Sequence, residues 1–142
     1  MLDPTRICHL VKPADLNHHG TLFAGKMAEW MVEGCFIAAA RLVGRPEDVI
    51  CVRVHDMTFR RPLRAGDIVE IDALVAHLGG RSITVHGSAG TTGAKDAAVT
   101  ILITFVTVDA AGKPYEHGLT LSEEYVAAHA AACERARKSV SG

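Results

Sequence analysis

The chain reads as an α+β protein in which an antiparallel five-stranded sheet wraps a long central helix and a further helix closes the C-terminus. Three observations predict this. From about Leu22 to Leu42 there is no proline, and apolar residues recur at helical spacing over more than one face. After Asp48 the hydrophobic period drops from about 3.6 to 2 and stays there through four segments. Short breakers rich in glycine and proline separate those segments, which favours antiparallel hairpins over βαβ crossovers.

Arg6 to Lys12 alternates apolar and polar residues and stops at Pro13, so it reads as a first strand. Pro13 to Gly20 is a loop. The helix over about 22–42 carries Phe23, Met27, Trp30, Met31, Cys35, Ala38 and Leu42 on its apolar side and is expected to be wrapped by something. Gly44 to Asp48 is a turn. Val49–Phe59, Ile68–His77, Ser82–Ala89 and Ala97–Val108 are the next strands. They are separated by Pro62 to Asp67, by Gly79-Gly80, by Gly90 to Gly93 and, at the end, by Gly112-Lys113-Pro114. Ser122 caps a last helix over about 123–138, with Glu123 and Glu124 at its positive end and Arg135, Arg137 and Lys138 at its negative end.

With 142 residues the chain is one domain's worth, spanning 1–142, and at 49% hydrophobic and 22% charged it can bury a core. Fifteen basic against sixteen acidic residues leave no basic field for general nucleic-acid binding. The four cysteines are scattered without CxxC or Cys/His spacing, and the eight histidines show no HxxxH or HExxH, so no metal site is expected. No signal peptide and no apolar run of about 20 residues is seen, so a reduced, cytoplasmic protein away from membranes is expected. Neither a G-x-S-x-G elbow nor a phosphate-binding glycine motif is present.

Chemistry concentrates at Asn17-His18-His19-Gly20-Thr21-Leu22-Phe23-Ala24-Gly25. A glycine-bearing loop opening a helix offers unpaired N–H groups and the positive end of the macrodipole to a developing oxyanion, and Asn17 adds a neutral donor. The alternative is that Asn17 and Gly20 only build a turn and a cap. Glu29 and Glu33 follow at i and i+4 on one helix face, where desolvation would raise a carboxylate toward a useful general base. Glu29 can instead pair with Lys26, whereas Glu33 has no such partner and sits among Trp30, Phe36 and Ile37. His19, beside Gly20, is close enough to touch a substrate. Gly80-Arg81-Ser82 forms a hairpin turn whose guanidinium and hydroxyl suit a phosphate.

The chain resembles the single-domain hotdog acyl-CoA thioesterases of the broad-specificity hydrolase type. The resemblance rests on Asn-x-x-Gly-x-x-(Phe/His)-(Gly/Ala)-Gly, met by Asn17, Gly20, Phe23, Ala24 and Gly25, and on Phe-x-x-Pro-x-x-x-Gly-Asp, met by Phe59, Pro62, Gly66 and Asp67. The closing stretch Thr104 to Pro114 is also similar. The resemblance implies hydrolysis of an acyl-CoA to free acid and CoA, with no cofactor beyond the CoA of the substrate. It implies that Asn17 and the backbone around Gly25 polarise the carbonyl while a helix carboxylate activates water. It also implies homodimers with sites shared between protomers, or tetramers or hexamers of them. Where the family often has aspartate this chain has Val32, so Glu33 is expected as the base with Glu29 in reserve. If neither reaches the site, the chain binds acyl-CoA without hydrolysing it. Trp30 and Phe36 are candidate acyl contacts, with a place in the core as the alternative for Trp30. Phe23 is a candidate substrate contact. Arg60, Arg61, Arg64 and Arg81 are candidate partners for the CoA phosphates, with simple surface solvation the alternative for each.

Overall fold

The computed structural model describes residues 2–141. Its elements in order are β1 (Thr5–Leu10), α1 (Ala24–Val43), β2 (Val49–Phe59), β3 (Ile68–Leu78), β4 (Ser82–Thr91), β5 (Val99–Thr107), α2 (Glu123–Ala128) and α3 (Ala130–Ser141). The five strands form one antiparallel sheet in the order β1-β3-β4-β5-β2, so β2 occupies an edge. The alternation seen in the sequence sorts the sheet into two faces. Val69, Ile71, Ala73 and Val75 of β3 and Val99, Ile101, Ile103 and Phe105 of β5 face inward, against Met27, Met31, Cys35 and Ala39 of α1.

The helix crosses the sheet closely. A Cβ added at Gly87 would lie 2.8 Å from Ile101 Cγ2 and 2.9 Å from Cys35 Sγ, so only glycine lets β4 pass beneath α1. Trp30 stacks flat on His9 at 4.3 Å, which ties α1 to β1, and Phe36 meets Phe105 edge-on at 6.0 Å, which ties the opposite flank to β5.

Several boundaries differ from the sequence reading. The first strand ends at Leu10 instead of Lys12, because Val11 leaves the ladder to bond Asp67 O and Gly66 N–H. The central helix begins at Ala24 and not at Leu22, since Leu22 is extended and donates to Leu63 O. The third and fourth strands run on to Leu78 and Thr91, and the last is trimmed to Val99–Thr107. The single C-terminal helix expected over 123–138 is two helices with a break at His129, where φ is −122° and ψ 37°. Tyr125 explains the break: its hydroxyl donates to Val75 O of β3 while its ring packs on His129 at 4.6 Å, which anchors α2. The chain then turns so that α3 lays Ala136 over Ala76 and Leu102 on the outer face of the sheet. The expected cap is present, with Ser122 Oγ accepting from Tyr125 N at 3.1 Å. Within one chain α1 is wrapped on one side only. Glu29, Glu33 and Arg41 are exposed along its other side.

Candidate functional site

The head of α1 is organised by Asn17. Its N–H donates to Thr21 O at 2.7 Å, and its side-chain Oδ1 accepts from the N–H groups of His19 at 2.8 Å and Thr21 at 3.2 Å. Its Nδ2 donates to Thr21 Oγ1 at 3.1 Å. Gly20 closes this five-residue loop with φ of 80°, a left-handed conformation that disfavours any side chain. Just before it, Asp15 accepts from Lys12 N–H, which holds its carboxyl below the ordinary range, and Asp15 O accepts from Phe23 N–H. Asn17 therefore builds the turn, as one sequence reading has it, with its side chain held in a fixed orientation. Neither it nor Gly20 caps the helix, because Oδ1 is spent on the N–H groups of His19 and Thr21 and the N-cap position is Phe23.

The loop docks on the turn that follows β2. Thr21 bridges Arg64, Leu22 N–H donates to Leu63 O at 2.8 Å, and Asp67 Oδ2 accepts from Arg64 N–H at 2.8 Å. The two sequence motifs thus meet in space. Between them lies a cavity of about 300 Å³ lined by Asn17, Leu22, Ala24, Met27, Phe59, Arg60, Arg61, Pro62, Leu63 and Val99. Arg60 is steadied by Thr100 Oγ1 at 2.7 Å and Arg61 by Asp96 O at 2.8 Å. Among the described residues neither guanidinium has a carboxylate partner, so both keep their charge for an anion.

The helix start has no side-chain cap, and the N–H groups of Ala24 and Gly25 have no acceptor among the described residues. The ring of Phe23 lies over Gly25, where an added Cβ would stand 2.5 Å from Cε2. An apolar cavity, an oriented amide, two free N–H groups at a positive helix end and two guanidiniums can hold a polarised carbonyl joined to an anionic tail.

The other expected residues lie elsewhere. Glu29 makes the ion pair with Lys26, at 3.6 Å, that was its alternative reading. Glu33 is exposed within the chain, so the desolvation expected of it is not provided by the chain's own sheet. It stands at mid-helix, about 13 Å along the axis from Ala24 at roughly 1.5 Å per residue. Trp30 is buried on the β1 side of α1 and does not line the cavity. His19 is exposed, its ring 3.9 Å from that of His18. Gly80, Arg81 and Ser82 form the β3–β4 turn, held by His117 N–H on Gly80 O and Thr107 N–H on Arg81 O. Ser82 pairs with Val106 and Ala89 with Val99. That turn is therefore about 24 Å, seven residues at roughly 3.4 Å each, from the end of the sheet that carries the cavity.

Sequence reasoning missed the cavity's floor, because Leu22, Met27, Leu63 and Val99 read as ordinary core. It also missed Thr21, although a Thr four residues from an Asn across a glycine turn is a recognisable loop signal. Among the described residues no three His, Cys, Asp or Glu side chains gather as metal ligands, and no helix is long and apolar enough to cross a membrane. Burial pushes the Cys35 thiol up to about 12, which makes it inert at neutral pH.

Comparison with known proteins gives a consistent picture. Residues 19–91 match the profile of the thioesterase superfamily. The chain is 30% identical over 134 residues to YkhA of Bacillus subtilis (strain 168), an uncharacterized acyl-CoA thioester hydrolase, covering 90% of this chain and 77% of that protein. In structure it is similar to an acyl-CoA hydrolase from Staphylococcus aureus solved with butyryl coenzyme A and coenzyme A, with a TM-score of 0.82, 26% identity, and 97% and 82% of the two chains covered. It is also similar to a hexameric thioesterase from Yersinia pestis, with a TM-score of 0.73, 32% identity, and 84% and 97% covered.

Proposed function

The chain belongs to the thioesterase superfamily, and on that premise we propose that it hydrolyses acyl-CoA thioesters at the head of α1 in sites shared between two copies. The observation that carries the reading is the cavity lined by Asn17, by Ala24 at the start of the helix and by two arginines that have no carboxylate partner among the described residues. The thioester carbonyl oxygen sits against Asn17 Nδ2 and the Gly25 N–H, and Arg60 and Arg61 meet the CoA phosphates. Glu33 takes a proton from water as the water oxygen bonds to the carbonyl carbon. The tetrahedral oxyanion then expels the CoA thiolate, which regains the proton, leaving free acid and CoA. No metal, cofactor or covalent serine enters this scheme.

The edge strand β2 supports the shared site. Ile50, Val52 and Val54 are 45%, 54% and 49% exposed on an unpaired edge of eleven residues, a surface that a soluble chain covers. Antiparallel pairing of two β2 edges about a two-fold axis sets the Val49 end of one copy beside the Phe59 end of the other. In each chain the Gly80–Ser82 turn lies at the Val49 end and Asn17, Arg60 and Arg61 at the Phe59 end. Pairing thus brings Arg81 and Ser82 of one protomer to the site of its partner, which accounts for their distance within one chain. Larger assemblies, tetramers or hexamers, stack such dimers. All four cysteines are free thiols, in keeping with a reducing compartment such as the cytoplasm.

The test is turnover of short- to long-chain acyl-CoAs, read by a thiol-reactive dye that traps released CoA. Catalysed release from at least one chain length, abolished in Asn17→Ala, is expected. Binding without release across the whole panel would make the chain an acyl-CoA-binding module instead.

A further inference from the structure

We propose that Thr21 is a positioning residue whose hydroxyl sets the direction of the Asn17 amide, so that one N–H of Asn17 points at the thioester oxygen. This rests on the reading of Asn17 as the carbonyl-polarising side chain.

Donors and acceptors around the amide decide its orientation. Asn17 Oδ1 has two lone pairs, and two backbone N–H groups, those of His19 at 2.8 Å and Thr21 at 3.2 Å, already point at it. Turning the amide over would set its NH₂ against two donors, so the backbone fixes which end is oxygen. It does not fix the plane of the amide, because the torsion that ends in a planar group is broad. Among the described residues the one hydrogen-bond partner of the nitrogen end is Thr21 Oγ1, 3.1 Å from Nδ2. With both lone pairs of Oδ1 taken and its own distance to Oδ1 longer, at 3.3 Å, the Thr21 hydroxyl serves as acceptor from Nδ2. One Nδ2 hydrogen is thereby tied down. The other is left for the cavity that Asn17 lines.

Thr21 is itself held rigidly. Its backbone bridges Arg64, its carbonyl accepts from Asn17 N–H at 2.7 Å, and its side chain is half-buried. The anchor is therefore fixed to the turn after β2, which also carries Arg60 and Arg61. Substrate tail and substrate carbonyl are located from the same piece of backbone, so a loose amide loses alignment even when CoA is gripped normally. Removing an oxyanion donor outright lowers turnover by roughly 10²–10³. Freeing one that remains present is expected to lower it by about tenfold.

Thr21→Val keeps the shape and β-branching of the side chain and deletes the hydroxyl, while Thr21→Ser keeps the hydroxyl. The experiment measures kcat and KM for an acyl-CoA turned over by the wild type, with thermal unfolding of each variant alongside. Thr21→Val is expected to lose about tenfold in kcat with KM within about twofold, and Thr21→Ser to recover most of that loss. Asn17→Ala and the double variant Asn17→Ala/Thr21→Val are expected to be equally slow, since the anchor has nothing left to hold. The proposal is overturned if Thr21→Val turns over like wild type, if its loss lies in KM or in the melting temperature, if Thr21→Ser fails to rescue, or if the two lesions multiply. If Asn17→Ala itself turns over normally, the oxyanion reading of Asn17 falls, and the positioning role of Thr21 falls with it. A slow Asn17→Ala beside an unaffected Thr21→Val overturns the Thr21 assignment alone.

Discussion

The edge of β2 gives the most decisive perturbation. Val52 and Val54 stand near the middle of the strand, each about half exposed in one chain. Full burial of a valine is worth about 1.5–3 kcal/mol, so closing the open half gains about 1 kcal/mol per side chain. The two valines in both copies together contribute about 4 kcal/mol to pairing, or roughly 10³-fold in the dissociation constant at about 1.4 kcal/mol per tenfold. Val52→Lys/Val54→Lys removes that gain and sets like charges across the two-fold axis. The long lysine stems recover part of the buried area, so a weakening of about 10²–10³ is expected. Because both positions are solvent-facing in the single chain, its fold should persist, with unchanged far-UV circular dichroism. Sedimentation velocity at micromolar concentration should show the two-fold interface broken, a dimer falling to monomer or a hexamer to trimer, and thioester hydrolysis should fall with it. An unchanged assembly would refute β2 as the interface. Dissociated chains with wild-type turnover would refute the shared site.

The remaining expectations are narrower. Glu33→Gln should lower kcat by roughly 10²–10⁴ with little change in KM, and Glu29→Gln much less; steady-state kinetics giving the reverse order would exchange their roles. A heterodimer of one Asn17→Ala chain and one Glu33→Gln chain carries both lesions in one site and none in the other. Purified through two tags, it should recover about half of wild-type activity per dimer, and absence of recovery would place both residues in the same chain's site. His86 accepts at Nε2 from Arg135 at 3.0 Å, and burial, with the charges of Arg135 and Arg60, holds it below the usual 6.5. The folded state therefore keeps His86 neutral while the unfolded chain takes up a proton. Its contribution to stability is full above about pH 6.5 and declines as pH falls through the folded value. The thermal midpoint of His86→Gln should then depend less steeply on acid than that of the wild type.

The fold was legible where period and punctuation are local. Val69, Ile71, Ala73 and Val75 alternate inward as read, and Ser122 caps its helix. The break at His129 was not legible, because it depends on the Tyr125 hydroxyl reaching a carbonyl on β3, a contact fifty residues away in sequence. The cavity was half legible. Its polar rim, Asn17, Arg60 and Arg61, stands out by residue type, whereas its floor is built from aliphatic residues that any core would use. That the two motifs touch could not be read from spacing, since the bridge from Thr21 to Arg64 joins a loop before α1 to a turn after β2.

The apolar excess of α1 carries information of its own. The sequence reads α1 as wrapped, and a single chain leaves it partly open, with Phe23 at its head 54% exposed, Val32 and Phe36 half-buried, and Phe36 lying against Phe105 of β5. The same is true of β2, whose run Val49-Ile50-Cys51-Val52 is apolar although the strand lies at the edge. Both excesses of apolar character fall toward the β5–β2 side of the sheet; the β1 side is closed by Trp30 on His9 and by Ile7 against Gly34. Hydrophobic pattern records what the working assembly buries, not what one chain buries. On the proposed pairing, residues that are too apolar for their place in the monomer are the ones a second copy would cover. Glu33 is exposed on the open side of α1, so on the proposed pairing any burial it receives comes from the second copy. If Glu33 is the base, breaking the β2 interface should remove its catalytic advantage before it disturbs the fold, so activity should track the paired fraction on dilution.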